Sequence, residues 1–183
     1  MSRLIALCML SVCIVSACTD GTDERRTYVL TTGSTGGTFY PVGVALSTLV
    51  SAQDEANFAL TAISSAGSME NIKLLRDNQA QFGLILAIFA AWAYDGEGPI
   101  RNPQRHIRGI SAMWPNVEHF VLRSDLVTNG TVSDLANLGG ERYSIGMRNS
   151  GAEQTGFYIF DALGIDYNED LSIAYMGYGP SAN

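Results

Sequence analysis

Three short stretches of this chain have residue types and spacing suited to holding an anion. The first, Thr32-Gly33-Ser34-Thr35-Gly36-Gly37-Thr38, packs three glycines and four hydroxyls into seven residues and runs into Phe39-Tyr40-Pro41. Glycine admits a positive φ and lets backbone come close to a ligand. The helix expected after Pro41 offers free N–H groups and a partial positive charge at its start. Gly33, Ser34, Thr35, Gly36, Gly37, Thr38 and Tyr40 are therefore candidate ligand contacts. The second stretch is Ser64-Ser65-Ala66-Gly67-Ser68, with Ser65, Ala66, Gly67 and Ser68 as candidates. The third is Arg148-Asn149-Ser150-Gly151-Ala152, all five of them candidates. A charge-assisted hydrogen bond is worth about 1.5–3 kcal/mol, so six of them would give about 9–18 kcal/mol gross. A micromolar ligand needs only about 8 kcal/mol net. The surplus can offset desolvation and ordering, and no lysine is required. Arg148 could add a bidentate clamp on a second carboxylate. The structural alternatives are tight turns that merely need their glycines, and a solvated arginine beside a helix start.

Other chemistries fit less well. A nucleotide P-loop needs G-x-x-x-x-G-K-[ST], and no lysine occurs between Thr27 and Ile72. Ser34, Ser65 and Ser150 are conceivable nucleophiles for a serine hydrolase, but a serine needs a base oriented beside it. The two histidines, His106 and His119, belong to no recognisable triad or metal spacing. No cofactor and no metal are expected. The net charge of −7 and the absence of a basic run longer than Arg25-Arg26 argue against nucleic acid as a partner.

The first 27 residues read as lying outside the fold. Arg3 followed by the apolar run Leu4–Val15 has the length of a secretory h-region and falls short of the ~20 residues that span a bilayer. Val15-Ser16-Ala17-Cys18 resembles a bacterial lipobox, which makes Cys18 a candidate lipidation site after removal of residues 1–17. Residues 18–27 would be a polar tether. A plain signal peptide cut elsewhere, or a retained anchor, is the alternative. Cys8 and Cys13 would leave with the leader, so a disulfide within the mature chain is excluded. Ten basic residues would then face eighteen acidic ones.

The elements that must position these loops follow a strand–loop–helix pattern three times. Tyr28–Thr31 is a predicted strand, followed by a helix with Val42, Ala45, Leu46 and Leu49 on one apolar stripe. Phe58–Ile63 is a strand leading to a helix over 69–78, with Glu70 early and Lys73 and Arg76 late, the order that suits the helix dipole. Tyr143–Met147 leads to a helix from Glu153 to Leu163, ended by Gly164. Phe82–Ala87 reads as a strand buried on both faces, followed by a helix-like segment through Phe89, Trp92 and Tyr94. Trp92, Tyr94 and Trp114 read as packing residues. Ile107–Met113 and Val117–Arg123 read as strands. Thr131–Asp134 suggests a capping-box start to a short helix. Leu171–Met176 is a further strand, before a loop that opens another helix. The β-α-β order argues for parallel sheets with helices on both faces.

The three loops, taken in order, resemble the motifs of the TAXI branch of TRAP-transporter solute-binding proteins. Thr32 to Gly43 is similar to that family's opening motif, and Ser64 to Asn71 with Leu74-Leu75 to its second. Asp134 to Gly146 looks like the start of its second lobe. Asn149 to Glu153 and Tyr178 to Asn183 resemble later loops, and the likeness runs from Tyr28 to the end. The resemblance implies an α/β, two-lobed fold of the type II periplasmic binding protein kind. Lobe one would span residues 28–120, and the start of an incomplete lobe two residues 121–183, so the sequence reads as a C-terminally truncated fragment. The implied function is capture of a small organic anion, a dicarboxylate or an amino acid such as glutamate, for TRAP membrane subunits. The protein would be periplasmic and held to a membrane by its lipid. A periplasmic sensory module is the alternative. Two departures stand out: Leu86-Ala87-Ile88 is apolar where the family often has polar residues, and Arg148 replaces a small residue or proline.

Overall fold

The structure, a computed structural model, describes residues 25–53 and 55–182. The expected leader, Cys18, and all but the last three residues of the expected tether lie outside the described residues. In chain order the elements are β1 (Arg26–Thr31), α1 (Phe39–Ser51), β2 (Phe58–Ile63), α2 (Ser68–Arg76), β3 (Phe82–Gly83) and α3 (Ala87–Asp95). Two 3₁₀ turns follow, Ser124–Leu126 and Val132–Leu138, then β4 (Arg142–Ser144), α4 (Gly151–Leu163), β5 (Ser172–Ala174) and α5 (Tyr178–Ser181). The fold is mixed α/β with parallel pairing, as the β-α-β order implied. One sheet has the order β2-β1-β3 and the other pairs β4 with β5.

Each sheet has its own core. Ile72, Phe89 and Ala93 are buried between α2 and α3, with Met69, Leu86 and Trp92 packed around them. Leu135, Leu138, Ile145, Phe160 and Leu171 form the second cluster, on which Phe120 and Leu122 also pack. In the first sheet Tyr28 on β1 meets Phe58 on β2 and Phe82 on β3 edge to face at 5.5 and 6.0 Å, and Phe58 and Phe82 stack at 6.3 Å. Such cross-strand aromatic pairs help hold strand register.

The structure corrects five of the sequence-based elements. The apolar stripe expected on α1 is not its buried face. Leu49 is 63% exposed, and the buried residues are Gly43 and Ser47. The helix lies so close to β1 that a methyl on Gly43 would overlap Thr32 Cγ2, so small residues take the inward positions. The strand expected over 82–87 pairs only at Phe82 and Gly83, and α3 begins at Ala87. Residues 107–123 form no ladder with any described strand. A strand exists only where its N–H and C=O groups find a neighbour, and among the described residues β1, β2 and β3 pair only with one another. The alternation at 117–123 is nevertheless real: Phe120 and Leu122 pack inward while Val117 and Val121 are exposed. Finally, the Thr131 hydroxyl caps nothing, and the turn it precedes is 3₁₀ rather than α. Asp134 reaches back instead, accepting hydrogen bonds from the N–H groups of Asn129 and Gly130 and from the Thr128 hydroxyl.

Candidate functional site

Parallel strands deliver the loops at their C-terminal ends to one edge of the sheet, which is where open α/β folds place ligands. All three candidate loops lie at such edges, after β1, β2 and β4. Their hydroxyls have different fates. Ser65 Oγ donates to Asn71 Oδ1 at 2.6 Å and accepts from Gly67 N–H. Ser68 Oγ accepts from Leu86 N–H at 3.1 Å, and Ser150 Oγ caps α4 by accepting from Glu153 N–H at 3.0 Å. In the first loop, the side chains of Ser34, Thr35, Thr38 and Tyr40 have no hydrogen-bond partner among the described residues. That loop is shaped by a turn in which Gly37 N–H donates to Ser34 O at 2.9 Å.

Asn71 organises the edge of the first sheet. Its side chain is fully buried, and Nδ2 donates to the carbonyls of Thr32 and Leu84 at 2.6 and 2.7 Å. Its Oδ1 accepts from Thr31 and Ser65 hydroxyls. One amide thus ties the ends of β1 and β3 to the loop after β2. Sequence reasoning gave Asn71 no role. Its signal was a poor helix former set in the inward stripe with Ser68, Ile72 and Leu75.

The second and third loops meet. A side-chain carbon at Gly67, whose φ is +126°, would lie 3.6 Å from Gly151 N; one at Gly151 would lie 3.2 Å from Ser68 Oγ and 2.8 Å from Leu86 Cδ1. The N-termini of α2 and α4 therefore face each other at close range. The first-turn N–H groups of Ser68, Met69, Gly151 and Ala152 have no acceptor among the described residues. The N–H groups just outside the helices are already served: Glu70 Oε2 accepts from Ala66 at 2.6 Å, and Glu153 Oε2 from Asn149 at 2.7 Å. The first loop touches a different neighbour, since a carbon on Gly37 would come within 2.9 Å of the Tyr178 ring at the start of α5. Beside it Phe39 and Trp114 pack edge to face at 5.8 Å.

The charges are laid out unevenly. Lys73 Nζ donates to Asn149 Oδ1 at 2.7 Å. Arg148 is exposed and its guanidinium lies 3.6 Å from the centre of the Tyr175 ring, with no carboxylate paired to it among the described residues. Such stacking holds a guanidinium flat and leaves its edge free for a planar anion. Tyr175 was not foreseen; it follows β5 as Arg148 follows β4, at the same edge. On the other side, partial burial pushes the Glu118 carboxyl up, against the opposing effect of His119. Burial first, and the Glu118 charge second, push the Tyr143 phenol to about 12 and the Tyr178 phenol up. Carboxylates thus stand on both sides, Glu118 toward Tyr178 and Glu70 and Glu153 at the starts of α2 and α4, with Arg148 beside the latter pair. The histidines His106 and His119 are both exposed and stand in no strand.

A protein-family model described as the NMT1-like family matches residues 30–183. The chain belongs to that family. The match takes in all three loops and strands of both sheets. NMT1-like proteins are periplasmic binding proteins related to the solute-binding subunits of transporters, a binding family rather than a catalytic one. The resemblance noted from the motifs is met at that level, as an extracytoplasmic substrate-binding protein.

Proposed function

We propose that this NMT1-like protein is a TAXI-type solute-binding subunit. It captures a small organic anion, a dicarboxylate or an amino acid such as glutamate, and delivers it to a TRAP-type secondary transporter. The observation that carries the reading is the close approach of two helix N-termini, those of α2 and α4, the end of a helix that favours an anion. Gly67 and Gly151 allow that approach, and Arg148 stands beside it on Tyr175. One carboxylate would be held by backbone donors from both sheets and a second by Arg148. The free hydroxyls of Ser34, Thr35 and Thr38 would add neutral contacts.

In this reading residues 28–120 form one lobe and 121–183 belong to the other. Cys18 carries the lipid that keeps the protein at a bacterial membrane, facing the periplasm. Intact mass after detergent extraction should show diacylglycerol on a chain that begins at Cys18; any other mature start removes the anchor. Native mass spectrometry of the purified protein tests the ligand. An adduct that releases a carboxylate-bearing molecule of a few hundred daltons at most supports the reading. An adduct that proves to be a cation overturns it.

A further inference from the structure

We propose that Asn149 is a latch that joins the two halves of the molecule without help from a ligand. Asn149 lies at the tip of the loop after β4 with φ of 63°, the left-handed region that asparagine tolerates better than most residues. In that conformation both of its acceptors engage the opposite helix, α2. Its carbonyl oxygen accepts from Glu70 N–H at 3.1 Å, and its Oδ1 accepts from Lys73 Nζ at 2.7 Å. Glu70 and Lys73 are three residues apart, so they stand on one face of α2, one above the other. The Asn149 N–H is held from its own side by Glu153 at 2.7 Å.

Each bond of the set thus fixes the geometry of the next. The Glu153 carboxylate holds the loop tip in place, the tip presents two acceptors, and successive turns of α2 fill them. Behind the latch the junction is apolar: Leu86 and Phe89 meet Gly151, and Trp92 packs against Tyr158 with centroids 6.0 Å apart. Lys73 Nζ gives one of its three donors to this contact, and Arg148 stands on the other side of Asn149's loop against Tyr175. If the anion-binding reading holds, opening the site requires release of both Asn149 bonds, and the latch slows ligand escape.

Amide hydrogen exchange on the full chain, with no ligand added, tests the proposal by reading the Glu70 N–H directly. Lys73→Met and Asn149→Gly remove the same bond, Lys73 Nζ to Asn149 Oδ1, from its two sides, and the glycine keeps both the left-handed backbone and the carbonyl that accepts from Glu70. Each should speed exchange at Glu70 at least tenfold, and the double variant should be little faster than the faster single. Leu30, in the middle of the first sheet, should exchange as in the unaltered protein. An unprotected Glu70 amide in the unaltered chain, or one that neither variant moves, overturns the proposal. Equal acceleration at Leu30 does so too, since the contact would then hold the fold and not the junction. The readout needs no ligand, so it stands or falls separately from the ligand assignment.

Discussion

At the scale of single residues, Asn71 has the greatest structural effect for its size. Removing its amide leaves the Thr32 and Leu84 carbonyls and the Thr31 and Ser65 hydroxyls short of partners. A buried polar group left unpaired costs about 1–3 kcal/mol, and relaxation will recover some of that. Asn71→Ala should therefore lower stability by about 3 kcal/mol or more in urea denaturation, although alanine is the better helix former by up to about 0.7 kcal/mol. A change under 1 kcal/mol would show that the strand ends hold themselves. The loops around Asn71 were legible in the sequence because glycines and hydroxyls advertise tight backbone. Asn71 was not, because a polar residue in a helix is read as facing water. Only its company on the inward stripe marks it.

At the scale of elements, close packing and turn chemistry decided what periodicity could not. The expected α1 stripe selected the large apolar residues, whereas the helix presses Gly43 and Ser47 onto the sheet. Gly43→Ala sets two effects against each other. Helix propensity favours alanine by about 1 kcal/mol, and overpacking against Thr32 costs about 1–3 kcal/mol. Since the new methyl would overlap Thr32 Cγ2, the second effect should win, and Tm should fall. A raised Tm would mean that the helix can slide outward at no cost.

The turn at Val132–Leu138 gives a pH test. The Thr128 hydroxyl first, then the Gly130 and Asn129 N–H groups, hold the Asp134 carboxyl below the usual carboxylate range against the opposing effect of burial. A folded-state value below the unfolded one gives stability that is complete above about pH 4 and is lost as pH falls through the folded value. Asp134→Asn should lower Tm at neutral pH, with the gap to the unaltered protein closing toward pH 2–3. A gap independent of pH would assign the effect to geometry and not to charge. Thr131 and Asp134 do have capping-box spacing. The side chains took another route because aspartate is one carbon too short to complete the box and found the 128–130 backbone nearer.

At the scale of the whole molecule, the fold brings donors from two separate sheets to one place. The sequence showed three loops of like composition, and their order along the chain implied parallel strands that end at a common edge. It could not show that the second and third loops meet each other while the first meets Tyr178, because such pairings depend on how the sheets are set. The Ile107–Met113 strand failed for a related reason. Its interspersed apolar residues mark a segment able to pair, and pairing needs a neighbour that no local pattern can supply.

The central claim, that the meeting of α2 and α4 with Arg148 captures a small organic anion, is tested most directly by titration calorimetry. The full chain should be titrated with succinate, malate, 2-oxoglutarate and glutamate, beside the Arg148→Ala and Gly37→Val variants. At least one anion should bind one-to-one with micromolar affinity. Arg148→Ala should weaken it by about 2–4 kcal/mol, the cost of leaving the ligand's second carboxylate, desolvated on binding, without its partner. Gly37→Val should abolish binding with an unchanged circular dichroism spectrum, since its side chain would displace Tyr178 and close the first loop. No heat with any of the four anions, or undiminished binding by Arg148→Ala, would contradict the account.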